Sequence, residues 1–535
     1  MKYNKPYPLI SFITLLWLLT GLSGATSKPN IIHIIVDDMG YSDLGCYGGE
    51  IETPHLDRLG KEGIRFTQFY NCAKCETTRA SLMSGLWWTE AKVGMKKGIT
   101  LGTAMQGAGY KTCAVGKWHL DGNPVDRGFD HYFGHLSGAA DFFRGNESFR
   151  LDSEPYTDFP EGFYATDAFT DYTIDFIRNS LEEDPAKPFF VYLAYNAPHN
   201  PLQIPEDDHL KYRGKYLKGY KQIRYDRYER MIKLGIMPNN LALPSHPENL
   251  PDWEDLTPAQ QDLEDLRMAV FASMIDRIDQ NVGKLVEQLE ELGVADNTLI
   301  IFHSDNGTNP FVHADQNNLK NGTLPGERRS NWQLGVGWSY ASSTPFRLYK
   351  RNQHEGGICS PLIVWHASML NPKATINRTP LHLVDIMPTY LELGNQSYEE
   401  VTDGLEVPPL SGQSFASLLQ GGSFDTDRPL YFQFMDHRAL RLGDWKLAAV
   451  EDGPWELYNL KSDRTERNDL IHSYPERADQ MIQLWHDWWE RTAGKPYKPR
   501  YTSFDRRMGD KGTGYPVNPT PMPESLKDRY PVKKD

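Results

Sequence analysis

The run Asn30-Ile31-Ile32-His33-Ile34-Ile35-Val36 holds four isoleucines and a valine, then stops on the carboxylates of Asp37 and Asp38. A near-continuous β-branched run of this length is the pattern of a strand buried on both faces of a parallel sheet. Its carboxylates then emerge at the strand's C-terminal end, the edge at which open α/β sheets bind ligands. His33, inside the apolar run, reads as a core residue. Outward from this strand, residues 54–63 read as a helix and 64–70 as a strand, and the segment at Cys75 leads into another helix. Residues 111–115 and 188–195 read as buried strands, each ending in a polar motif. Over residues 258–292, Met274, Ile275, Ile278, Val282, Leu285, Val286, Leu289 and Leu292 recur at helical spacing before Gly293 stops the helix. Residues 297–304 form a strand delivering Asp305, Asn306 and Gly307, residues 361–366 another strand, and residues 382–393 a helix. Alternation of this kind predicts an α/β fold, with a large, mainly parallel or mixed central sheet sandwiched by helices.

Near residues 421–428 the composition shifts to Gly, Ser and Asp, a boundary signal. Beyond it, residues 430–434, 439–442, 445–450 and 455–460 read as short strands with turns at Gly443-Asp444 and Asp452-Gly453. They predict a small antiparallel sheet, packed with a helix over residues 476–492. Residues 495–535, rich in Pro, Gly, Lys and Asp, read as an extended or loose tail. At the other end, Lys2 and Lys5 precede an apolar run over residues 9–19 and small residues at 21–25, the layout of a cleavable secretory signal. That run is shorter than the ~20 residues a membrane helix needs. The expected division is a signal peptide at 1–25, a large domain at 28–424, a small α+β unit at 425–495 and a tail at 496–535, in a protein exported to a periplasm or the medium and free of the membrane after cleavage.

A net charge of −14 over 535 residues argues against nucleic acid or anionic membrane as a partner. An anionic substrate must then be captured by local positive charge. Asp37, Asp38, Asp305 and Asn306 are hard oxygen donors at two strand ends, suited to Ca²⁺ or Mg²⁺ rather than to zinc. Of five cysteines (Cys46, Cys72, Cys75, Cys113, Cys359), an odd number in an exported chain marks one as reactive. Asn306-Gly307-Thr308 is also a glycosylation sequon, one that metal binding by Asn306 would rule out.

Cys75 opens the run Cys75-Glu76-Thr77-Thr78-Arg79-Ala80-Ser81-Leu82-Met83-Ser84-Gly85. Around it, in order, stand residues 32–45 about the acidic pair, Thr53-Pro54 with Leu56, Asp57, Arg58 and Leu59, Gly116-Lys117-Trp118-His119-Leu120, and Ala197-Pro198-His199. Ser304-Asp305-Asn306-Gly307, residues 344–350, His354-Glu355-Gly356-Gly357 and Asp385-Ile386-Met387-Pro388 follow. Together these resemble the sulfatase family of the alkaline phosphatase-like superfamily, in particular its bacterial arylsulfatase type, over nearly the whole chain after the leader. The resemblance implies oxidation of Cys75 to formylglycine by a formylglycine-generating maturation enzyme. It also implies one Ca²⁺ per chain, ahead of Mg²⁺, held by Asp37, Asp38, Asp305, Asn306 and the modified Cys75.

By the same resemblance, Arg79 orients the hydrated nucleophile, while Lys117 and His119 contact it and the sulfate, with His119 serving elimination. His199 and Lys350 hold the sulfate and its bridging oxygen, His199 giving the proton to the leaving alcohol, and Asp305 acts as ligand and base. Two residues after the cysteine, where the family carries Pro or sometimes Ala, this chain has Thr77. The implied activity is hydrolysis of a sulfate monoester of an aryl alcohol or a carbohydrate. The competing readings are a phosphatase or phosphonate hydrolase of the same superfamily, and a non-catalytic binder of sulfated glycans. Specificity is expected from residues 139–144 with Phe142 and Phe143, from residues 332–340, and from His437.

Overall fold

The computed structural model describes residues 28–532, apart from 207, 248–249, 403, 452 and 499–519. The leader at 1–25, Asp452 of one expected turn and much of the 496–535 tail lie outside the described residues. No helix among the described residues is long and apolar enough to cross a membrane.

Asn30–Val36 is a strand buried at every position. It pairs in parallel with Phe189–Ala194 on one side and Thr298–Ser304 on the other. Ile32, Ile34 and Val36 enter the core on one face of the sheet, and Ile31 and Ile35 enter the core on the other. Two apolar faces explain the absence of polar alternation in the run. His33 spends both ring nitrogens inside the core, Nδ1 at 2.6 Å from the Tyr390 hydroxyl and Nε2 at 2.9 Å from His303 Nε2.

The main sheet has eleven strands. From one edge to the other they are Thr375–Asn377, Ile64–Tyr70, Cys359–Trp365, Thr298–Ser304, Asn30–Val36, Phe189–Ala194, Lys111–Lys117, His131–His135, Phe149–Leu151 and Glu154–Pro155. Leu381–His382 also pairs with Ile64–Tyr70. The centre is parallel, whereas Cys359–Trp365 runs antiparallel to both neighbours, so the sheet is mixed. Helices Ala165–Glu183 and Pro258–Glu291 share the core on one face, and Cys75–Ser84, Leu101–Gly107 and Ile386–Leu393 that on the other. The last of these starts later than the 382–393 expectation. Leu381–His382 is drawn into the sheet, and the His382 ring then caps a short turn by accepting from the Val384 N–H at 3.2 Å.

Pro429–Phe434, His437–Leu442, Trp445–Ala449 and Glu456–Asn459 make a four-stranded antiparallel sheet in chain order. Helix Pro475–Ala493 covers it with a fully buried Trp485. Buried charge joins this unit to the main body. Lys446 Nζ meets Glu355 at 2.9 Å and Glu466 at 2.7 Å, and Arg464 meets the other Glu355 oxygen at 2.9 Å. Desolvation offsets most of the attraction in such pairs, so they fix geometry more than they add stability. Glu355 opens the helix Glu355–Ile358 just after Lys350, so the small sheet helps to place that lysine.

Of the tail expected to be extended or loose, the described part, residues 520–532, holds no helix or strand. Residues 520–532 lie against the main body: the Met522 N–H donates to the Ala259 carbonyl at 2.7 Å, and the Tyr530 carbonyl accepts from Arg213 Nε at 3.0 Å. Met522 and Leu526 are buried. A few apolar anchors in an otherwise polar stretch are enough to dock it, which average composition does not register.

One helix start is capped from outside its own sequence. Thr53 makes no side-chain cap for Pro54–Glu62, and instead Asp279 accepts from the His55 and Leu56 N–H groups at 3.2 and 2.7 Å. Burial raises the Asp279 carboxyl from 3.8 to about 7. Between those values the folded chain keeps a proton the unfolded chain has released, so this group makes stability fall as pH rises. Asp279→Asn is expected to flatten that dependence, by up to about 1.4 kcal/mol per pH unit. Urea midpoints measured from pH 4 to 8 check it, and parallel pH profiles for the two proteins would refute it.

Candidate active site

Four chain segments meet at the C-terminal end of the central strands. Asp37 and Asp38 leave Asn30–Val36, Lys117 ends Lys111–Lys117, and Asp305 and Asn306 leave Thr298–Ser304. Cys75 is the first residue of helix Cys75–Ser84, with Lys74 as its N-cap. The free backbone N–H groups and positive dipole end of this helix therefore face the place where an anion would sit. Thr77 falls in the first turn, where N–H groups have no intrahelical acceptor, which is why a proline or another residue fits there equally. Its hydroxyl donates to the Lys74 carbonyl at 2.9 Å.

The side chains converge on the thiol. Cys75 Sγ lies 3.3 Å from Asp37 Oδ1 and 3.2 Å from Lys350 Nζ. Lys117 Nζ meets Asp37 Oδ2 at 2.5 Å, and Lys350 Nζ donates to Asp38 Oδ1. Asn306 Nδ2 donates to the same Asp38 oxygen at 2.6 Å. Asp305 accepts from the Asp38 N–H at 3.2 Å and from Arg79 Nη2 at 3.3 Å. Arg79, fully buried, also donates to the Lys117 carbonyl at 2.8 Å and the Tyr192 hydroxyl at 3.2 Å. Asp38 takes the left-handed conformation at φ 69°, uncommon outside glycine, which aims its carboxylate into this cluster.

His199 brings Nε2 to 3.5 Å from Asp38 Oδ2. Its Nδ1 stands 2.6 Å from the Asn200 carbonyl, which can only accept, so Nδ1 carries the proton. His119, half-buried, forms no hydrogen bond or ion pair with the other expected residues among those described. Its Nδ1 is buried without a partner, and its ring abuts Gly138, where a Cβ would come within 2.6 Å of Nε2.

The electrostatics follow from burial set against charge. Burial pushes the Asp37 carboxyl up, but Lys117, His199 and Arg79 outweigh it and hold it well below the usual range. Asp38 is lowered in the same way, chiefly by Lys350 and His199. Burial and the neighbouring Asp37 raise Asp305 to about 7. Burial, Asp305 and Asp37 raise the Cys75 thiol, so the thiolate is disfavoured. Burial lowers His199 to about 4. Lys350 moves upward, since Asp38 and Cys75 outweigh its burial.

Donor atoms of Asp37, Asp38, Cys75 and His199 lie within 4.8 Å of one another. Asp38 Oδ2 and Asn306 Oδ1 are buried with no hydrogen-bond partner. Two orphaned hard oxygens beside carboxylates fit a hard divalent cation. Asp305 lies next to this group, with its oxygens engaged by Arg79 and the Asp38 N–H, and His199 stands in the group although the sequence points it toward substrate. All five cysteines are buried and free, so Cys75 is not consumed in a disulfide. Asn306 is wholly buried, leaving no room for a glycan.

The expected specificity elements fare differently. Trp332 and Trp338 are fully buried, and residues 336–342 form the helix Val336–Ser342, with Trp338 Nε1 donating to the Glu264 carbonyl at 2.9 Å. Phe142 and His437 are also core residues. Aromatic content alone does not separate a pocket wall from packing, and here packing wins. Phe143 is half-buried against the core, 5.3 Å from the Tyr164 ring, with Arg328 over its ring at 4.4 Å. Two site residues escape sequence reasoning: Tyr192, hidden in an apolar strand, and Lys74, whose position before the nucleophile was the available signal.

Comparison with known proteins gives a consistent result. A family model described as Sulfatase matches residues 29–396. An uncharacterised sulfatase of Schizosaccharomyces pombe is 31% identical over 523 residues, covering 86% of this chain and 93% of that protein. The arylsulfatase of Klebsiella aerogenes is 31% identical over 436 residues, covering 73% and 92%. Among solved structures, Ps i-CgsB in complex with k-i-k-neocarrahexaose superposes with a TM-score of 0.64 at 24% identity, covering 90% of this chain and 97% of that one.

Proposed function

Since the chain belongs to the sulfatase family, and its named relatives support sulfate ester hydrolysis, we propose that it cleaves sulfate monoesters at Cys75 matured to formylglycine, with one Ca²⁺ alongside. The observation that carries this reading is the convergence of Asp37, Asp38, Lys117 and Lys350 on a buried cysteine at a helix tip. A thiol whose pKa is raised is a poor nucleophile, so the unmodified side chain does not suit the task. Formylglycine would supply two hydroxyls on one carbon, one to attack sulfur and the other to expel sulfate. The cation, held by Asp37, Asp38 and Asn306 with Asp305 beside them, would supply Lewis acidity toward the sulfate oxygens.

The remaining chemistry belongs to the chain's own residues. Asp305, at about 7, is matched to accepting a proton near neutral pH, and Arg79 fixes its orientation. Lys117, Lys350 and the helix N–H groups offset charge on the transferred group, the kind of preorganised field that usually dominates catalysis. His199 and Lys350 hold the sulfate and its bridging oxygen, with His199 the proton donor to the leaving oxygen: burial lowers it to about 4, so its protonated ring gives the proton up readily. Lys350, pushed upward by Asp38 and Cys75, keeps its protons and acts as a fixed positive charge. His119, with its buried and unpartnered Nδ1, serves the release step.

Mass spectrometry of the Cys75 peptide from active protein is expected to show the aldehyde in place of the thiol. The same preparation should release sulfate from 4-nitrophenyl sulfate or from a panel of monosulfated sugars. Active protein carrying only free thiol would sink the formylglycine assignment, and a fully converted protein inert toward every ester would sink the hydrolase reading.

A further inference from the structure

Lys350 is carried on a loop bent against its own preferences. Leu348 and Arg351, on either side of it, take the left-handed conformation at φ 62° and 76°, which residues other than glycine keep only where the surroundings hold them there. Three backbone bonds supply part of that hold. The Lys350 N–H donates to the Thr308 carbonyl at 3.2 Å, the Arg351 N–H to the Ala73 carbonyl at 2.8 Å, and the Gly356 N–H to the Arg347 carbonyl at 3.0 Å.

The rest comes from one carboxylate on the small antiparallel sheet. Glu456 opens the strand Glu456–Asn459, and its Oε2 accepts from His354 Nε2 at 2.8 Å and from Arg347 Nη1 at 3.3 Å. Lys350 lies between those two residues in the chain. The Tyr458 hydroxyl completes the grip, donating to the same Glu456 oxygen at 2.7 Å and accepting from Arg347 Nη1 at 3.0 Å. Burial pushes the Glu456 carboxyl up, but His354 and Arg347 outweigh it and hold it at about 2, so the shared acceptor is ionised and its bonds are of the stronger kind. One oxygen that holds both shoulders of a strained loop limits how far the residue between them can move.

We propose that Glu456 is a positioning residue for the reaction: by gripping Arg347 and His354 together it keeps the Lys350 ammonium 3.2 Å from the Cys75 side chain. This rests on the sulfatase reading, in which Lys350 acts on the transferred group. Glu456 forms no hydrogen bond or ion pair with the nucleophile or the metal-site carboxylates among the described residues, so it acts through Lys350 alone. The small sheet is then part of the catalytic apparatus.

The test uses the full chain, with kcat/KM for 4-nitrophenyl sulfate taken per converted chain and the position of Lys350 read separately. Glu456→Ala is expected to lower kcat/KM by about 30-fold or more, toward the ~100-fold cost of misplacing a reacting group by about an ångström. Glu456→Gln still offers an amide oxygen to His354 and Arg347 and should stay within about threefold of the parent. On a Lys350→Ala background, Glu456→Ala should cost no more than about twofold, because residues that act through one group do not add. The second readout needs no turnover. Brief acylation with an N-hydroxysuccinimide ester, followed by mass spectrometry, should label Lys350 about tenfold faster in Glu456→Ala than in the parent, the mark of a local opening, and leave the equally buried Lys117 unchanged. Should Glu456→Ala fail to fold, Arg347→Met releases one shoulder only and should show the same labelling and the same non-additivity. Full additivity with Lys350→Ala, or a Lys350 as protected as in the parent, overturns the proposal. A converted parent that releases no sulfate would defeat the hydrolase reading, while the labelling ratio would still judge Glu456.

Discussion

Cys75→Ala is expected to lower sulfate release by on the order of 10⁶-fold, the scale on which removal of a catalytic nucleophile is felt. The fold should be spared, because the hydrogen-bond partners of Sγ are Asp37, Lys350 and Lys74, and Cys75 belongs to neither hydrophobic core. Thermal midpoints of the two proteins should therefore agree within a few degrees while activity disappears. Cys75→Ser gives a sharper outcome. Its single hydroxyl can attack sulfur and break the ester once, forming a serine sulfate. No second hydroxyl on the same carbon exists to expel that sulfate, so the leaving alcohol appears in at most one equivalent per chain. A burst of one equivalent followed by silence, or no reaction at all, fits the reading. Sustained turnover by Cys75→Ala would remove this residue from the chemistry altogether.

The value of the serine variant lies in what the thiol already lacks. Burial and two carboxylates raise the Cys75 thiol, and Lys117 and Lys350 beside it are paired with Asp37 and Asp38. A cysteine serving as nucleophile in its own right would need the opposite arrangement, with positive charge lowering its pKa. The surroundings suit a neutral side chain that gains its reactivity from covalent modification.

Much of this arrangement was legible in the chain because it is written in short local patterns. The Asn30–Val36 run announces a strand buried on both faces, and the carboxylates that follow it must then appear at a sheet edge. Asp305 and Asn306 follow Thr298–Ser304 by the same logic, and parallel pairing of the two strands brings both pairs to one place. Pairings across long sequence separation were not legible. That Asp279 caps the helix beginning at Pro54, that Arg79 finds the Tyr192 hydroxyl, and that Lys446 is buried against Glu355 all depend on which helix or strand lies beside which. Buried tryptophans mislead for the same reason, since Trp332 and Trp338 look alike in sequence whether they wall a pocket or fill a core.

Replacing Asp38 tests the metal half of the proposal and should be nearly as damaging as loss of the nucleophile. Asp38 gives one oxygen to Lys350 and Asn306 and keeps Oδ2 buried without a hydrogen-bond donor. A buried carboxylate oxygen left in that state is costly unless a cation meets it. Asp38→Asn preserves the shape but removes the charge and turns one oxygen into a donor. Activity should fall by at least about 10³-fold, the effect of losing one preorganised electrostatic group. Loss of activity alone would not identify a metal, so two other readouts decide it. Elemental analysis after dialysis should find one Ca²⁺ per chain in the parent protein and little in Asp38→Asn. Added Ca²⁺ at about 100 times its dissociation constant should stabilise the chelated parent by about 2.7 kcal/mol, because it binds only the folded state, and should leave Asp38→Asn unmoved. Chelated protein that is metal-free by analysis yet fully active would eliminate the cation, and Asp38 would then be simply the partner that holds Lys350 against the thiol.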